Sequence, residues 1–119
     1  MDNYNVLCTD NYDSLYNVNK ILVKPGLECL YKKFSKKLNK YLLKKYPEYY
    51  AGLQLYESNK YCNEFYVIAR YNDVCGIYQA ITKIRNDIER IYNNVWDSSV
   101  KRTSIFAFSN YKRVIPPED

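Results

Sequence analysis

The stretch YESNKYCNEFYVIARYN, residues 56–72, contains side chains that could bind a ligand or take part in a reaction. It predicts two strands joined by a short turn, and side-chain alternation in the second strand places Glu64, Tyr66 and Arg70 on one face. Carboxylate oxygens suit a hard ion such as Mg²⁺, and aromatic and guanidinium planes can stack on nucleic-acid bases. The residue types and their spacing are therefore compatible with either metal-assisted chemistry or a binding surface.

Composition excludes several common catalytic sites. The chain has no histidine, which removes the usual general base and the ordinary Ser–His and Cys–His pairs. Its three glycines do not form a phosphate-binding loop. Cys8, Cys29, Cys62 and Cys75 are dispersed without a C-x-x-C pair, which argues against a zinc site. We expect buried free thiols, with a disulfide as the alternative if the source is a hyperthermophile.

Hydrophobic periodicity predicts the elements that must position these residues. Alternation predicts four strands, with a possible further strand at residues 4–8, and steps of three and four residues predict two helices. Pro25 suits the first turn of the first helix, and Asn72 or Asp73 could cap the second. The predicted strands are residues 17–24, 50–57, 61–71 and 102–109, and the predicted helices are residues 27–46 and 72–95.

The apolar positions of the two helices each form one stripe. In the first helix they are Leu27, Leu30, Tyr31, Phe34, Leu38, Tyr41 and Leu42. In the second helix they are Ile77, Ile81, Ile84, Ile88, Ile91 and Val95. Two such helices need one sheet face to cover.

The order strand, helix, strand, strand, helix, strand predicts an α+β fold. Right-handed crossovers would place both helices on one face of a four-stranded antiparallel sheet, as in the ferredoxin-like βαββαβ sandwich. We expect residues 1–110 to form this single domain and residues 111–119 to form a polar C-terminal tail.

The sheet face without helices is predicted to carry aromatic and basic side chains. Phe65, Val67 and Ala69 form the natural core set of their strand, which leaves Glu64, Tyr66, Ile68 and Arg70 on the open side. In the preceding strand, Leu53 and Leu55 are expected in the core, with Gln54 and Tyr56 opposite. In the last strand, either Ile105 and Ala107 or Phe106 and Phe108 could face inward.

Tyr56, Tyr66 and Arg70 together could stack on unpaired bases, because aromatic and guanidinium planes accept the face of any base. The alternative is that these tyrosines are buried against a second subunit or against the N-terminal strand. The two uses are compatible with each other.

Lysines are concentrated in the first helix. At about 100° per residue, five of them form one line, which we call the lysine ridge. Glu28 is the only acidic residue between Lys24 and Glu48, whereas surface helices normally intersperse acidic residues among the lysines. A solvated helix face is the simplest interpretation, but one-sided charge favours a polyanion or an acidic protein surface. We expect the ridge to lie close to the open sheet face. The ridge residues are Lys33, Lys36, Lys37, Lys40 and Lys44.

Residues 53–71, followed by a helix containing IYQAITKI, resemble the rolling-circle replication initiators and single-domain tyrosine transposases. Those enzymes share this sheet order. They carry a histidine–hydrophobic–histidine motif on a strand, followed by a helix with a nucleophilic tyrosine and often a nearby lysine. The resemblance covers about 35–40 residues, and both motif histidines are absent here.

The resemblance implies a role for five residues if the protein nicks DNA. Glu64 and Tyr66 would occupy the motif positions, Tyr78 would be the nucleophile, and Lys83 would approximate the lysine. Glu57 would lie near a third ligand, so that Glu57 and Glu64 would hold Mg²⁺.

Composition and charge indicate where the protein is located and what kind of genome encodes it. The 119 residues have a net charge of +5 and a pI near 8.9, without an apolar run long enough to span a membrane or a recognisable signal peptide. We therefore expect an intracellular protein in the host cytoplasm. Plentiful asparagine, lysine and isoleucine, with 15 tyrosines, are typical of AT-rich coding sequences in viruses and mobile elements.

The sequence thus predicts a small non-enzymatic nucleic-acid-binding protein of a virus or mobile element, which needs no cofactor. Its basic helix would bind phosphates and its open-face aromatics would bind bases. One alternative is a viral interaction protein that inhibits an acidic host protein, as a homodimer. The other is the Mg²⁺-dependent tyrosine nickase.

Overall fold

The computed structural model of the chain describes residues 14–106, which form a four-stranded sheet and two helices. A single 3₁₀ turn, Asp97–Ser99, leads from the second helix into the last strand. The predicted strand at 4–8 and the tail at 111–119 lie outside the described residues. The elements are β1 (Ser14–Val23), α1 (Glu28–Lys45), β2 (Tyr50–Glu57), β3 (Glu64–Asn72), α2 (Ile77–Val95) and β4 (Val100–Phe106).

The sheet has the order β2-β3-β1-β4, and all three neighbouring pairs are antiparallel. Both helices lie on one face of this sheet, where they meet through a 2.7 Å hydrogen bond between the hydroxyls of Tyr31 and Tyr92. This is the predicted α+β, ferredoxin-like arrangement. Neither helix in the described region is long and apolar enough to cross a membrane.

The core lies between the helix pair and the sheet. Phe65, Val67 and Ala69 of β3 are buried, as the alternation predicted, and Leu53 and Leu55 pack against them. Four of the 15 tyrosines also belong to the core, so part of the unusual tyrosine content fills the interior. The buried tyrosines are Tyr31, Tyr50, Tyr71 and Tyr92.

The ends of the predicted helices need correction. Leu30 and Val95 are 54% and 55% exposed, although the stripes placed them in the core. Leu30 points away from the sheet because it lies about a third of a turn from the buried positions of α1. The second helix begins at Ile77, and neither Asn72 nor Asp73 caps it. Gly76 precedes that helix with φ of +84°, a backbone conformation that only glycine adopts without strain.

The first helix likewise begins later than predicted. It starts at Glu28, so Pro25 lies in the preceding turn and not in the first helical turn. The carboxylate of Glu28 accepts a hydrogen bond of 2.9 Å from the backbone N–H of Gly26, which ties that turn to the helix.

The edge strand β2 contains an irregularity. Gly52 has φ of +125°, and the pairing register with β3 shifts between Tyr50 and Gly52. At the same place the side-chain oxygen of Asn39 in α1 accepts a 3.0 Å hydrogen bond from the backbone N–H of Leu53. This hydrogen bond therefore connects the edge strand to the first helix at the site of the irregularity.

The last strand differs from both predicted arrangements. Arg102 and Ser104 lie opposite Ile21 and Asn19, so they occupy the helix-facing side of β4. A register shift then leaves Ile105 without a partner in the pairing, and its side chain is 55% exposed. Phe106 lies opposite Val18, and residues 107 and 108 are outside the described region. The helix-facing side of this strand is thus more polar than expected.

The cysteines within the described region are exposed, which contradicts the expectation of buried thiols. Cys29, Cys62 and Cys75 are free and accessible, while Cys8 lies outside the described residues. Cys29 is on the outer face of α1, and Cys62 and Cys75 belong to loops at opposite ends of β3.

We predict that an alkylating reagent modifies Cys29, Cys62 and Cys75 in the native protein within minutes, because accessible thiols react without unfolding. Peptide mass spectrometry after treatment with N-ethylmaleimide would measure this, with the urea-unfolded protein as the fully labelled control. Protection of any of the three until urea is added would contradict the exposed positions.

Candidate nucleic-acid interface

The lysine ridge forms on the outer side of α1. The buried residues of this helix occupy one side, and the five ridge lysines fall within an arc of about 100° centred opposite that side. All five are exposed. The buried residues are Tyr31, Ser35, Leu38 and Leu42. The ridge therefore points directly away from the sheet.

The ridge also differs from its neighbours in ion pairing. Lys32, beside the ridge, pairs with Glu57 of β2 at 2.7 Å, and Lys45 pairs with Asp87 of α2 at 3.1 Å. None of the five ridge lysines forms an ion pair with any residue from 14 to 106. The acidic groups within reach of α1 neutralise its flanks and leave the ridge positive.

The open face of the sheet carries the predicted aromatic and basic residues. Tyr56 and Tyr66 are directly opposite each other in β2 and β3, and Arg70 lies opposite Tyr16 of β1. Tyr56 is 49% exposed, and its hydroxyl donates a 3.0 Å hydrogen bond to Gln54 on the same strand. Arg70 is exposed. This face thus presents accessible ring and guanidinium surface.

Glu64 has a structural role on the same face. Its carboxylate is buried and accepts a 2.6 Å hydrogen bond from the hydroxyl of Tyr66, with the ammonium of Lys20 at 3.7 Å. The hydrogen bond to Glu64 raises the pKa of Tyr66, so its phenol stays neutral. The carboxylate therefore holds the Tyr66 hydroxyl in one direction.

The two surfaces lie on opposite sides of the domain. The helices cover one side of the sheet, the ridge faces outward from α1, and Tyr56, Tyr66 and Arg70 occupy the other side of the sheet. The expectation that the ridge adjoins the open face therefore does not hold. A helix that buries its apolar stripe against the sheet must direct a ridge opposite that stripe away from the sheet.

The residues assigned to a nicking reaction are not brought together. Tyr78 and Lys83 are exposed on α2, on the helix side of the sheet, whereas Glu64 is on the open side. Tyr78 also follows the end of β3 that is opposite to Glu64. The strand separates its two ends by about 26 Å, at about 3.3 Å per residue. The tyrosine could not attack a phosphate held at Glu64.

The two candidate metal ligands are also separated. Glu57 faces α1 and pairs with Lys32, while Glu64 faces the open side and accepts the hydrogen bond from Tyr66. Within residues 14–106, no group of three or more Cys, Asp or Glu side chains could hold a metal ion. The carboxylates that the resemblance suggested instead orient neighbouring side chains.

Sequence reasoning did not assign the residues that β1 contributes to the open face, among them Tyr16 and Lys20. β1 begins at Ser14, three residues earlier than predicted, and this adds Tyr16 beside Arg70. Lys20 lies opposite Tyr66 in the same register. Extending the alternation of 17–24 toward the N-terminus would have placed Tyr16, but the polar residues around it obscured that signal.

No protein-family model matches the chain. No curated protein matches it at a significant level either. The resemblance to rolling-circle initiators therefore stays a prediction.

Proposed function

We propose that this protein binds nucleic acid through the lysine ridge, without dependence on base sequence. The observation that supports this most strongly is the contrast within α1: the flanking Lys32 and Lys45 are ion-paired, and the five ridge lysines are not. Unpaired ammonium groups in one row repel each other, and a polyanion removes that repulsion. The free energy of binding would come mainly from the release of counterions from the phosphates.

The dimensions of the ridge suit a phosphate backbone. From Lys33 to Lys44 the helix advances by about 16 Å, at about 1.5 Å per residue. Phosphates of duplex DNA follow one another at about 3.4 Å per strand along the axis, so the ridge extends along about five phosphates. Flexible lysine side chains act as point charges and do not require a fixed phosphate geometry. The proposed contact is therefore with the backbone and not with base edges.

The open face would supply a separate contact with unpaired bases. Tyr56 and Tyr66 are neighbours on adjacent strands, and Arg70 is exposed on the same face, four residues further along β3 from Tyr66. Stacking on such residues contributes about 1–3 kcal/mol per base and requires bases that are not paired. Because this face is opposite the ridge, we propose two independent contacts, one with phosphates and one with single-stranded bases.

The salt dependence of binding tests this proposal. With labelled 20-nucleotide DNA or RNA in an anisotropy titration, we expect log K to fall with log[salt] with a slope of about −3 to −5. Four or five neutralised phosphates give that slope for a duplex. Absence of binding to every single- and double-stranded oligonucleotide at about 50 mM salt would remove nucleic acid as the partner.

Binding to a protein is the second candidate, and the composition of the open face favours it. Val18 and Ile68 lie opposite each other in the middle of that face, and Leu22 is 37% exposed near them. An apolar centre surrounded by tyrosine and arginine resembles the buried part of a protein interface. A homodimer through this face would show in sedimentation velocity, and an acidic host protein would stay bound in a pull-down after nuclease treatment.

A further inference from the structure

A cavity of about 390 Å³ lies between the helix pair and the sheet. Its walls come from both helices and all four strands, and it is on the opposite side of the sheet from Tyr56, Tyr66 and Arg70. Its volume falls in the range of about 300–1,000 Å³ that is common for small-molecule sites. The cavity is therefore a third feature, independent of the two surfaces described above.

Part of the cavity wall is polar where the fold calls for apolar side chains. Asn17 and Asn19 of β1, with Arg102 and Ser104 of β4, occupy helix-facing positions of the sheet. The neighbouring Val18 faces the open side, so the usual pattern of apolar inside and polar outside is reversed here. Such local conflicts with the folding pattern are typical of functional sites.

Two buried polar atoms in this wall lack hydrogen-bond partners within the described residues. The side-chain oxygen of Asn17 is one. The hydroxyl of Ser35 is the other. Burial raises the pKa of the nearby Tyr31, and Ser35 opposes that rise, although the two hydroxyls do not form a hydrogen bond of ordinary geometry. A buried acceptor without a partner destabilises the folded protein, so a ligand that donates a hydrogen bond to Asn17 would remove that cost.

The cavity also contains positive charge that the described residues do not neutralise. The guanidinium of Arg102 lies 4.8 Å from the centre of the Tyr92 ring, and it forms no ion pair with any residue from 14 to 106. Burial raises the pKa of the nearby Tyr71 to about 12, and the positive charges of Arg102 and Arg85 oppose that rise. Both arginines line the cavity. Among residues 14–106 the lining carries two arginines and one acidic residue, Glu89, so their charges sum to a positive value.

Thr82 and Asn86 of α2 are further polar members of the lining, and its remaining residues are apolar or aromatic. Leu38 and Leu42 of α1 and Ile88 of α2 form its helical side, and Val67 and Ala69 form its floor. A ligand therefore needs an apolar body as well as a charged group.

We propose that this cavity binds a small organic anion with a flat, largely apolar body and at least one hydrogen-bond donor. The carboxylate or phosphate of the ligand would pair with Arg102 and Arg85, its body would lie between the helices and β3, and its donor would reach Asn17. Carboxylates and phosphates both suit a guanidinium, which can offer each of them two parallel hydrogen bonds.

Calorimetric titration with four anions and one neutral analogue tests this proposal. The anions are 4-hydroxybenzoate, indole-3-carboxylate, 4-hydroxyphenyl phosphate and indol-3-yl phosphate, and the neutral analogue is 4-hydroxybenzamide. We expect at least one anion to bind with 1:1 stoichiometry and to raise the melting temperature. Binding of the two carboxylates alone would indicate a carboxylate ligand, and binding of the two phosphates alone would indicate a phosphate ligand. The neutral amide should bind at least tenfold more weakly than 4-hydroxybenzoate wherever that carboxylate binds.

Three variants locate the binding. Arg102→Gln should lower the affinity for the titrated anion at least tenfold, because it removes a positive charge from the cavity lining. Arg70→Gln removes the same charge from the open face of the sheet and should leave the affinity unchanged. Asn17→Leu should abolish binding while the free protein unfolds at the same or a higher urea concentration, since leucine removes an unpaired buried acceptor.

Two results would overturn the proposal. One is the absence of saturable binding for all four anions at millimolar concentration. The other is full-affinity binding to a folded Arg102→Gln or Asn17→Leu protein, which would place the ligand elsewhere. A variant without the ridge charges should keep full anion affinity, so failure of the nucleic-acid proposal and failure of this one are distinguishable.

Discussion

Replacing Asp87 with alanine is expected to lower the free energy of unfolding by about 2–3 kcal/mol. Asp87 in α2 is buried and accepts hydrogen bonds from Tyr41, at 2.8 Å, and Tyr46, at 2.9 Å. It also pairs with Lys45 at 3.1 Å and with Arg90 of its own helix. One carboxylate thus joins the C-terminal part of α1 to the middle of α2, and alanine would leave these donors without an acceptor.

The same carboxylate should make stability depend on acid pH. Burial alone would raise the pKa of Asp87, but hydrogen bonds from Tyr41, Lys45, Tyr46 and Arg90 outweigh it and lower the pKa from 3.8 to about 2. A lowered folded-state pKa contributes stability above pH about 4, and this contribution is lost as the pH falls toward 2. Because Lys45 and Arg90 are 47% and 58% exposed, solvent screening reduces the effect to about 1 kcal/mol.

Urea unfolding, followed by circular dichroism, measures both effects. Glu89→Ala is the matched control, because it removes an exposed acidic side chain two residues away, and it should change stability by less than about 0.5 kcal/mol. Asp87→Asn keeps an acceptor and removes the charge, so it should flatten the loss of stability between pH 4 and pH 2. An Asp87→Ala protein as stable as the Glu89→Ala protein would contradict the role given to this carboxylate.

Removing three ridge charges should weaken nucleic-acid binding by roughly two orders of magnitude at 0.1 M salt. The substitution is Lys33→Gln, Lys37→Gln and Lys40→Gln, all on the outer side of α1. Each lost phosphate contact should reduce the salt slope by about 0.9, so the slope should fall by about 2.7 in total. Anisotropy titrations at several salt concentrations measure the affinity and the slope together. Folding should be unaffected, because these side chains are exposed and have no ion-pair partner in the described region.

A second triple variant controls for net charge. Lys24→Gln, Lys60→Gln and Lys83→Gln remove the same total charge from exposed positions outside the ridge. If both triple variants lose affinity equally, net charge governs binding and the ridge has no special part. Tyr56→Ala separates the open face from the ridge, because it should weaken single-stranded but not double-stranded binding.

The fold could be predicted because its signals are local and periodic. The steps of Ile77, Ile81, Ile84 and Ile88 fix one buried face of α2, and the alternation of Phe65, Val67 and Ala69 fixes the inner face of β3. These two patterns, with the order of the elements, determine the helix side and the open side of the sheet.

What could not be predicted depends on contacts between distant residues. The second helix starts at Ile77, directly after Gly76 with its positive φ, and Cys75 is exposed in the loop before it, and the sequence signals neither beyond the glycine itself. The separation of Glu57 from Glu64 agrees with the side-chain alternation, which puts Glu57 on the side of Leu53 and Leu55 and Glu64 on the open side, and the register between β2 and β3 confirms it. The resemblance to the nicking enzymes, and not the strand positions, suggested that the two could share a metal ion.

The polar wall of the cavity also could not be predicted from the sequence. The alternation of Asn17, Val18 and Asn19 is visible in the sequence, but only the pairing with β3 shows that the two asparagines face inward. Arg102 faces inward because it follows the alternation of the buried Val100, and the register shift comes only after Ser104, where it leaves Ile105 without a partner and puts Phe106 opposite Val18. A pattern of period two cannot reveal such a shift in advance.

The bond between Asn39 and the Leu53 amide has a consequence for self-assembly. Exposed sheet edges are templates for strand addition and aggregation, and here one amide on the β2 border is already occupied by a side chain while the chain bends at Gly52. Growth of an intermolecular sheet should therefore start from the opposite border, formed by β4. Freeing that amide through Asn39→Ala would give fibril formation a second starting point.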